Sequence, residues 1–227
     1  MTRARWAFLA VALTLAFWSI WRLQSVRSDL EITSLTIGTT PATVTRLPGI
    51  TSAPVVIVAH GFAGSRQLME GFALTLARAG YIAVSYDLAG PGRNPVAMSG
   101  DVSVISGTPQ VLMDELGRVS GAALALPGAD GRLALLGHSM ASDIVVREAT
   151  RDSRVGAVVA VSMFSLAVTK DQPHNLLIVA GAWETMLAAE AERALRLADP
   201  NAGLGKTVGD PLRLASALDC SWLGRWA

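Results

Sequence analysis

The chain has 227 residues, 51% hydrophobic and 16% charged, which suits one domain with a sizeable core and excludes general disorder. Nineteen basic against 18 acidic residues leave a formal charge of +1, and with no Lys/Arg run no nucleic-acid partner is expected. The single cysteine, Cys220, excludes an internal disulfide and a cysteine-rich zinc site without fixing the compartment.

Arg3 and Arg5 precede a charge-free stretch from Trp6 to Trp21, followed by Arg22 and Arg27. As a helix that stretch would be about 24 Å long, slightly short of a hydrocarbon core. Trp6, Trp18 and Trp21 suit the interfaces, and Arg22 can snorkel. Residues 1–28 are therefore read as a single-pass membrane anchor. Two readings compete with it: a cleaved signal peptide, for which Trp18, Ile20 and Trp21 make a poor cleavage site, and a buried soluble helix. The flanking charges weakly favour an inside amino terminus, which puts the following domain outside the cytoplasm.

Residues 29–200 read as one α/β domain. Glu31 to Ile37 and Ala42 to Leu47 are β-prone, with a hairpin turn at Gly38-Thr39-Thr40-Pro41. Val55 to Ala59 is a β-branched run apolar on both faces, the mark of a central parallel strand. Leu68 to Ala79 is helical in pattern and stops at Gly80. Tyr81 to Tyr86 is the next strand, closed by the Gly90-Pro91-Gly92 loop. Thr108-Pro109 opens a helix to about Ala125. Arg132 to Leu136 is a strand, Ala141 to Thr150 a helix, and Val155 to Val161 and Leu176 to Ala180 are further strands. Thr185 to Ala198 is a last helix, and 201–227 reads as an irregular tail. Alternating strands and helices predict a mostly parallel sheet covered on both faces, with the hairpin at one edge.

Three motifs follow strands in order. Val55 to Ala59 runs into His60-Gly61-Phe62-Ala63-Gly64; Tyr86 runs into Asp87-Leu88-Ala89-Gly90-Pro91-Gly92; Leu133 to Leu136 runs into Gly137-His138-Ser139-Met140-Ala141. Together they resemble the α/β-hydrolase family over residues 31 to 198: its His-Gly oxyanion loop, its Asp-x-x-Gly-x-Gly loop, and its nucleophile elbow with Ala141 in place of the last glycine. The resemblance implies a serine hydrolase of carboxylic esters or related acyl bonds, with a small-molecule acyl ester as substrate. It implies no metal and no organic cofactor. The oligomeric state stays open.

By that resemblance Ser139 is the nucleophile, and the Phe62 and Met140 backbone N–H groups are the oxyanion donors. Gly137 must be small for close helix–strand packing. The competing reading of Ser139 is a plain helix N-cap. His60 and Gly61 shape the oxyanion loop, His60 by hydrogen bonding rather than as base. His138 is expected to point away from Ser139 as a satisfied buried histidine. Glu184, after the Leu176 to Ala180 strand, matches the family's acid; alternatively it only favours the dipole of the helix it precedes. Met98, Met163 and Phe164 are candidates for an apolar pocket edge.

The base is the gap. In the family the histidine follows the acid, and no histidine follows Glu184 in this sequence. His174 falls at the opposite end of the strand that leads to Glu184, separated from Ser139 by about 17 Å, too far for proton transfer. A final strand and helix are also expected to be missing. Two explanations stand: a truncated or frame-shifted hydrolase, or a protein that kept the scaffold and lost catalysis, acting as a non-catalytic binding or scaffold module at the membrane.

Overall fold

The computed structural model describes residues 3–102, 104–163, 175–181, 183–189 and 205–209. The central strands form because their residues are β-branched or small and apolar on both faces. β3 (Ala53–Ala59), β4 (Ile82–Tyr86) and the second half of β5 (Ala129–His138) are almost wholly buried. With β1 (Glu31–Ile37), β2 (Thr40–Arg46), β6 (Val155–Val161), β7 (Leu176–Gly181) and β8 (Gly205–Gly209) they make one sheet, ordered β1-β2-β4-β3-β5-β6-β7-β8. β2 runs antiparallel to β1 and β4, and every other pairing is parallel. The hairpin lies at the edge, its strands starting and ending around the two-residue turn Gly38-Thr39.

The parallel strands leave their carboxyl ends on one side of the sheet. After β3 the chain crosses by α2 (Glu70–Arg78) to β4, then returns by α3 (Thr108–Leu124) past β3 to β5. That reversal makes the gap between β3 and β5 the switch point, where open α/β sheets place ligands. α3 and α4 (Met140–Arg151) cover one face through Leu112, Leu116, Ile144 and Val145, packed on Ile57, Val84 and Leu135. α2 covers the other through Ala73 and Leu76 against Val56, Val58 and Ala83. Each fully buried aliphatic side chain contributes about 1.5–3 kcal/mol.

Two sequence expectations change. α1 (Arg3–Ser25) is a continuous 23-residue helix, about 34 Å long, which extends past the charge-free stretch at both ends. The extra length comes from the charged and polar residues that flank the apolar stretch. Its span from Arg5 to Ser25 is apolar enough to cross a membrane, and none of it is buried against the domain. The following linker is tied to α2: Arg27 pairs with Glu70 at 2.6 Å, Arg78 grips Asp29 at 2.8 Å, and Leu30 packs on Leu74 and Ala77.

The second change is β8, a further strand within the segment read as an irregular tail. It pairs with β7 from Leu177↔Gly205 to Gly181↔Gly209. Five residues with a glycine at each end carry no apolar alternation, so the strand is defined by backbone pairing and leaves no sequence pattern. Of the Thr185 to Ala198 helix, residues 185–189 are described and helical.

Candidate active site

β5 ends at His138 and α4 begins at Met140, so Ser139 makes the whole turn alone. It does so at φ 54° and ψ −121°, a conformation costing about 1–3 kcal/mol outside glycine. Its N–H donates to the Val161 carbonyl at 2.8 Å, pinning the turn to the end of β6. A capping serine has an extended backbone and bonds an N–H of the first helical turn. Ser139 does neither, and its half-buried hydroxyl has no hydrogen-bond partner among the described residues.

The turn is this tight because its neighbours lack side chains. A Cβ on Gly137 would lie 2.3 Å from the Ala141 carbonyl oxygen and 2.8 Å from Val145 Cγ2. A Cβ on Gly61 would lie 2.8 Å from Ser139 Cβ. The loop after β3 thus sits directly against the serine. Within it, Gly64 N–H closes on the Gly61 carbonyl at 3.1 Å, Ala63 takes φ 54°, and the Phe62 side chain is 70% exposed. Met140 opens α4, so its N–H belongs to the orphan donors of a helix start.

His60 fastens that loop from below. Its Nδ1 donates to the Gly61 carbonyl at 2.8 Å, and its Nε2 accepts the Leu88 N–H at 3.0 Å. Both ring nitrogens are therefore used. Burial, the larger influence, pulls its pKa below the ordinary value, against the Gly61 carbonyl, Asp87 and Glu115.

Beneath it lie residues whose roles the sequence reading did not assign. Asp87 is fully buried and accepts from Arg66 N–H at 2.8 Å, the Arg66 guanidinium, and Arg93 N–H at 3.0 Å. Glu115 of α3 accepts from Thr40 Oγ1 at 2.6 Å, Ala89 N–H at 2.9 Å and Asn94 Nδ2 at 2.7 Å. The two carboxylates tie the loops after β3 and β4 to each other and to the sheet. Asp87 stood in a recognised motif, but Arg66 and Glu115 carried no signal, because their partners are distant in sequence.

Glu184 stands at the N-cap position, immediately before the 185–189 helix, its carbonyl accepting Ala188 N–H at 2.8 Å. Its carboxylate turns back to the strand ends, where Oε2 accepts Gly181 N–H at 2.6 Å and Ser162 Oγ at 3.0 Å. Ser162, which follows β6, takes φ 52° in this contact.

His138 departs from expectation. It is half-buried, and its Nδ1 would stand 3.3 Å from a Cβ on Gly61, so the ring borders the site. Burial lowers its pKa most, Glu184 raises it and His60 lowers it further. Alternation along β5 fails as a guide here because the strand ends at His138 itself. Met163 is buried in the core, while His174 and Phe164 lie outside the described residues. Among the described residues, no group of three or more His, Cys, Asp or Glu is arranged to hold a metal ion.

The family model described as serine aminopeptidase, S33, matches residues 51–215. No curated protein sequence matches the chain. Among solved structures, a Pyrococcus furiosus esterase superposes with TM-score 0.67 at 14% identity, covering 89% of this chain and 93% of that one. The Thermus thermophilus protein TT1662 gives 0.66 at 18% identity, covering 87% and 98%. A bacterial membrane phospholipase A gives 0.61 at 14% identity, covering 98% and 95%. At these identities the likeness speaks for the fold.

Proposed function

Since the chain belongs to the serine aminopeptidase S33 family of α/β-hydrolases, we propose that it is a membrane-anchored serine hydrolase of carboxylic esters or related acyl bonds. The observation that carries this reading is the one-residue turn at Ser139, whose backbone is that of an elbow and not of a cap.

In the proposed chemistry Ser139 Oγ attacks the acyl carbon, and the carbonyl π electrons move onto its oxygen. The Phe62 and Met140 N–H groups receive that oxyanion, each donor supplying on the order of 3 kcal/mol. Collapse breaks the bond to the alkoxide, which leaves as the alcohol on taking up, by way of solvent or an added base, the proton that Ser139 lost; water then adds to the acyl-serine, releasing the carboxylic acid and returning the proton to Ser139. The serine proton needs an acceptor. His60 is unsuited, with both ring nitrogens engaged by the backbone. Glu184, held by Gly181 and Ser162, is assigned the acid's place. Among the described residues none is assigned as that acceptor, so the proposed attack is slow without an added base.

We assign α1 as an uncleaved anchor that places the domain on the extracytoplasmic side. Its length and apolar character support this reading.

The test is labelling of the full chain by a fluorophosphonate probe, with and without added imidazole as a diffusible base, against Ser139→Ala. Slow Ser139-dependent labelling accelerated by imidazole is the expected result. Identical labelling of both proteins under both conditions overturns the reading in favour of a non-catalytic binding module.

A further inference from the structure

Outside α1, its linker and Ile32 of the edge strand, every exposed large apolar side chain among the described residues lies in a segment that follows β3, β4 or β7. Phe62 and Leu68 follow β3. Val102 and Ile105, with two further valines, follow β4. Trp183 and Met186 follow β7. These strands are parallel, so all three segments leave the sheet on the side where β5 delivers Ser139. Trp183 is 91% exposed, Leu68 72% and Val102 67%. Water-facing apolar groups normally scatter over a soluble surface; confinement to one rim marks an interaction surface.

The chain itself supplies the argument for what meets that rim. α1 is joined to the domain by only the residues 26–30, an extended reach of at most about 17 Å. Within that linker Arg27 pairs with Glu70, the first residue of α2, two positions from Leu68 of the rim. The linker therefore runs beside α2 and adjoins the rim at its Glu70 end.

We propose that this rim rests on the bilayer surface, with the β4 loop and Trp183 inserted at the headgroup–acyl boundary, so that Ser139 meets acyl esters drawn from the membrane. The proposal rests on the anchor assigned above and extends it to the orientation of the site. Apolar side chains gain burial at such an interface, and tryptophan suits it because its ring is apolar while its N–H stays wet.

The test uses the full chain with Cys220→Ser, carrying a single environment-sensitive NBD label at Val102→Cys, Trp183→Cys or Ser52→Cys. Ser52 is exposed just before β3, at the opposite end of the sheet. The proteins are reconstituted into phosphatidylcholine–phosphatidylglycerol vesicles, where α1 alone accounts for retention. Blue-shifted emission and several-fold stronger quenching by lipid-borne nitroxide at 102 and 183 than at 52 are the expected results. Equal quenching at all three overturns the proposal. So does energy transfer between labelled copies in dilute detergent, which would make a second copy the occupant. Fluorophosphonate labelling of Ser139 is read on the same samples: labelling without insertion defeats the membrane surface alone, and insertion without labelling defeats the catalytic reading alone.

Discussion

Arg66 and Asp87 hold each other under the loop after β3: the Arg66 backbone N–H donates to Asp87 Oδ1 at 2.8 Å while its guanidinium pairs with Oδ2. The Asp87 side chain is fully buried and the Arg66 side chain 10% exposed. Arg66 Nε also reaches Thr43 of β2 at 3.1 Å, so the pair ties the loop after β3 to two strands.

Removing one partner leaves the other charge buried and uncompensated, the costly case for an ion pair. Asp87→Asn is expected to lower stability by about 3–5 kcal/mol by urea unfolding. Arg66→Met/Asp87→Asn is expected to recover part of that loss, because no lone charge remains. A double-mutant cycle that sums without coupling counts against the clamp.

Ser139 stands where glycine would rest more easily. Ser139→Gly removes the Cβ at φ 54° and is expected to raise stability by about 1 kcal/mol over Ser139→Ala while abolishing probe labelling. Thermal unfolding of the two variants decides it: equal midpoints would mean the turn stores no strain.

His60 sets a pH response. Its folded pKa lies below the ordinary 6.5, mainly through burial, so below that pH the unfolded chain takes up a proton that the folded one resists. Its contribution to stability is full above 6.5 and is lost as pH falls from there toward the depressed folded value. His138 shifts in the same direction. The wild-type melting temperature is expected to drop between about pH 7.5 and pH 5.5, and less steeply in His60→Gln. Parallel profiles of the two proteins would remove His60 from the response.

Glu148 behaves oppositely. Its buried Oε2 has no hydrogen-bond partner among the described residues and stands 3.6 Å from Arg151 Nε. Burial raises its pKa above 4.5, with Arg151 opposing. A carboxyl raised in this way favours the fold below 4.5, and that benefit fades as pH climbs through the folded value. Glu148→Gln is expected to be more stable than wild type by about 0.5–1 kcal/mol at neutral pH and indistinguishable at about pH 4. Chemical unfolding at the two pH values measures the difference.

The strands were legible where burial on both faces leaves an unbroken apolar run, as in Val55 to Ala59 and Val155 to Val161. β8 was not, since its place depends on backbone pairing with β7. At the site, the order of the three motifs led to Ser139, the His60 loop and the strand ahead of Glu184. What the sequence hid were contacts between distant positions: Thr40 with Glu115, 75 residues apart, Arg66 with Asp87, 21 apart, and Ser162 with Glu184, 22 apart. The position of His138 was hidden for another reason: the β3 loop packs against the end of β5, and sequence spacing does not report that approach.

If α1 anchors the chain as proposed, the seating of the linker on α2 bears on the dimensionality of the site's search. Arg27 on Glu70, Asp29 on Arg78, and Leu30 on Leu74 and Ala77 seat the linker along α2. On the assigned anchoring, an ester dissolved in the bilayer reaches Ser139 by lateral diffusion, at an effective concentration set by its density per unit membrane area. Diluting the whole suspension would leave that encounter rate unchanged, whereas diluting the ester with inert lipid would reduce it.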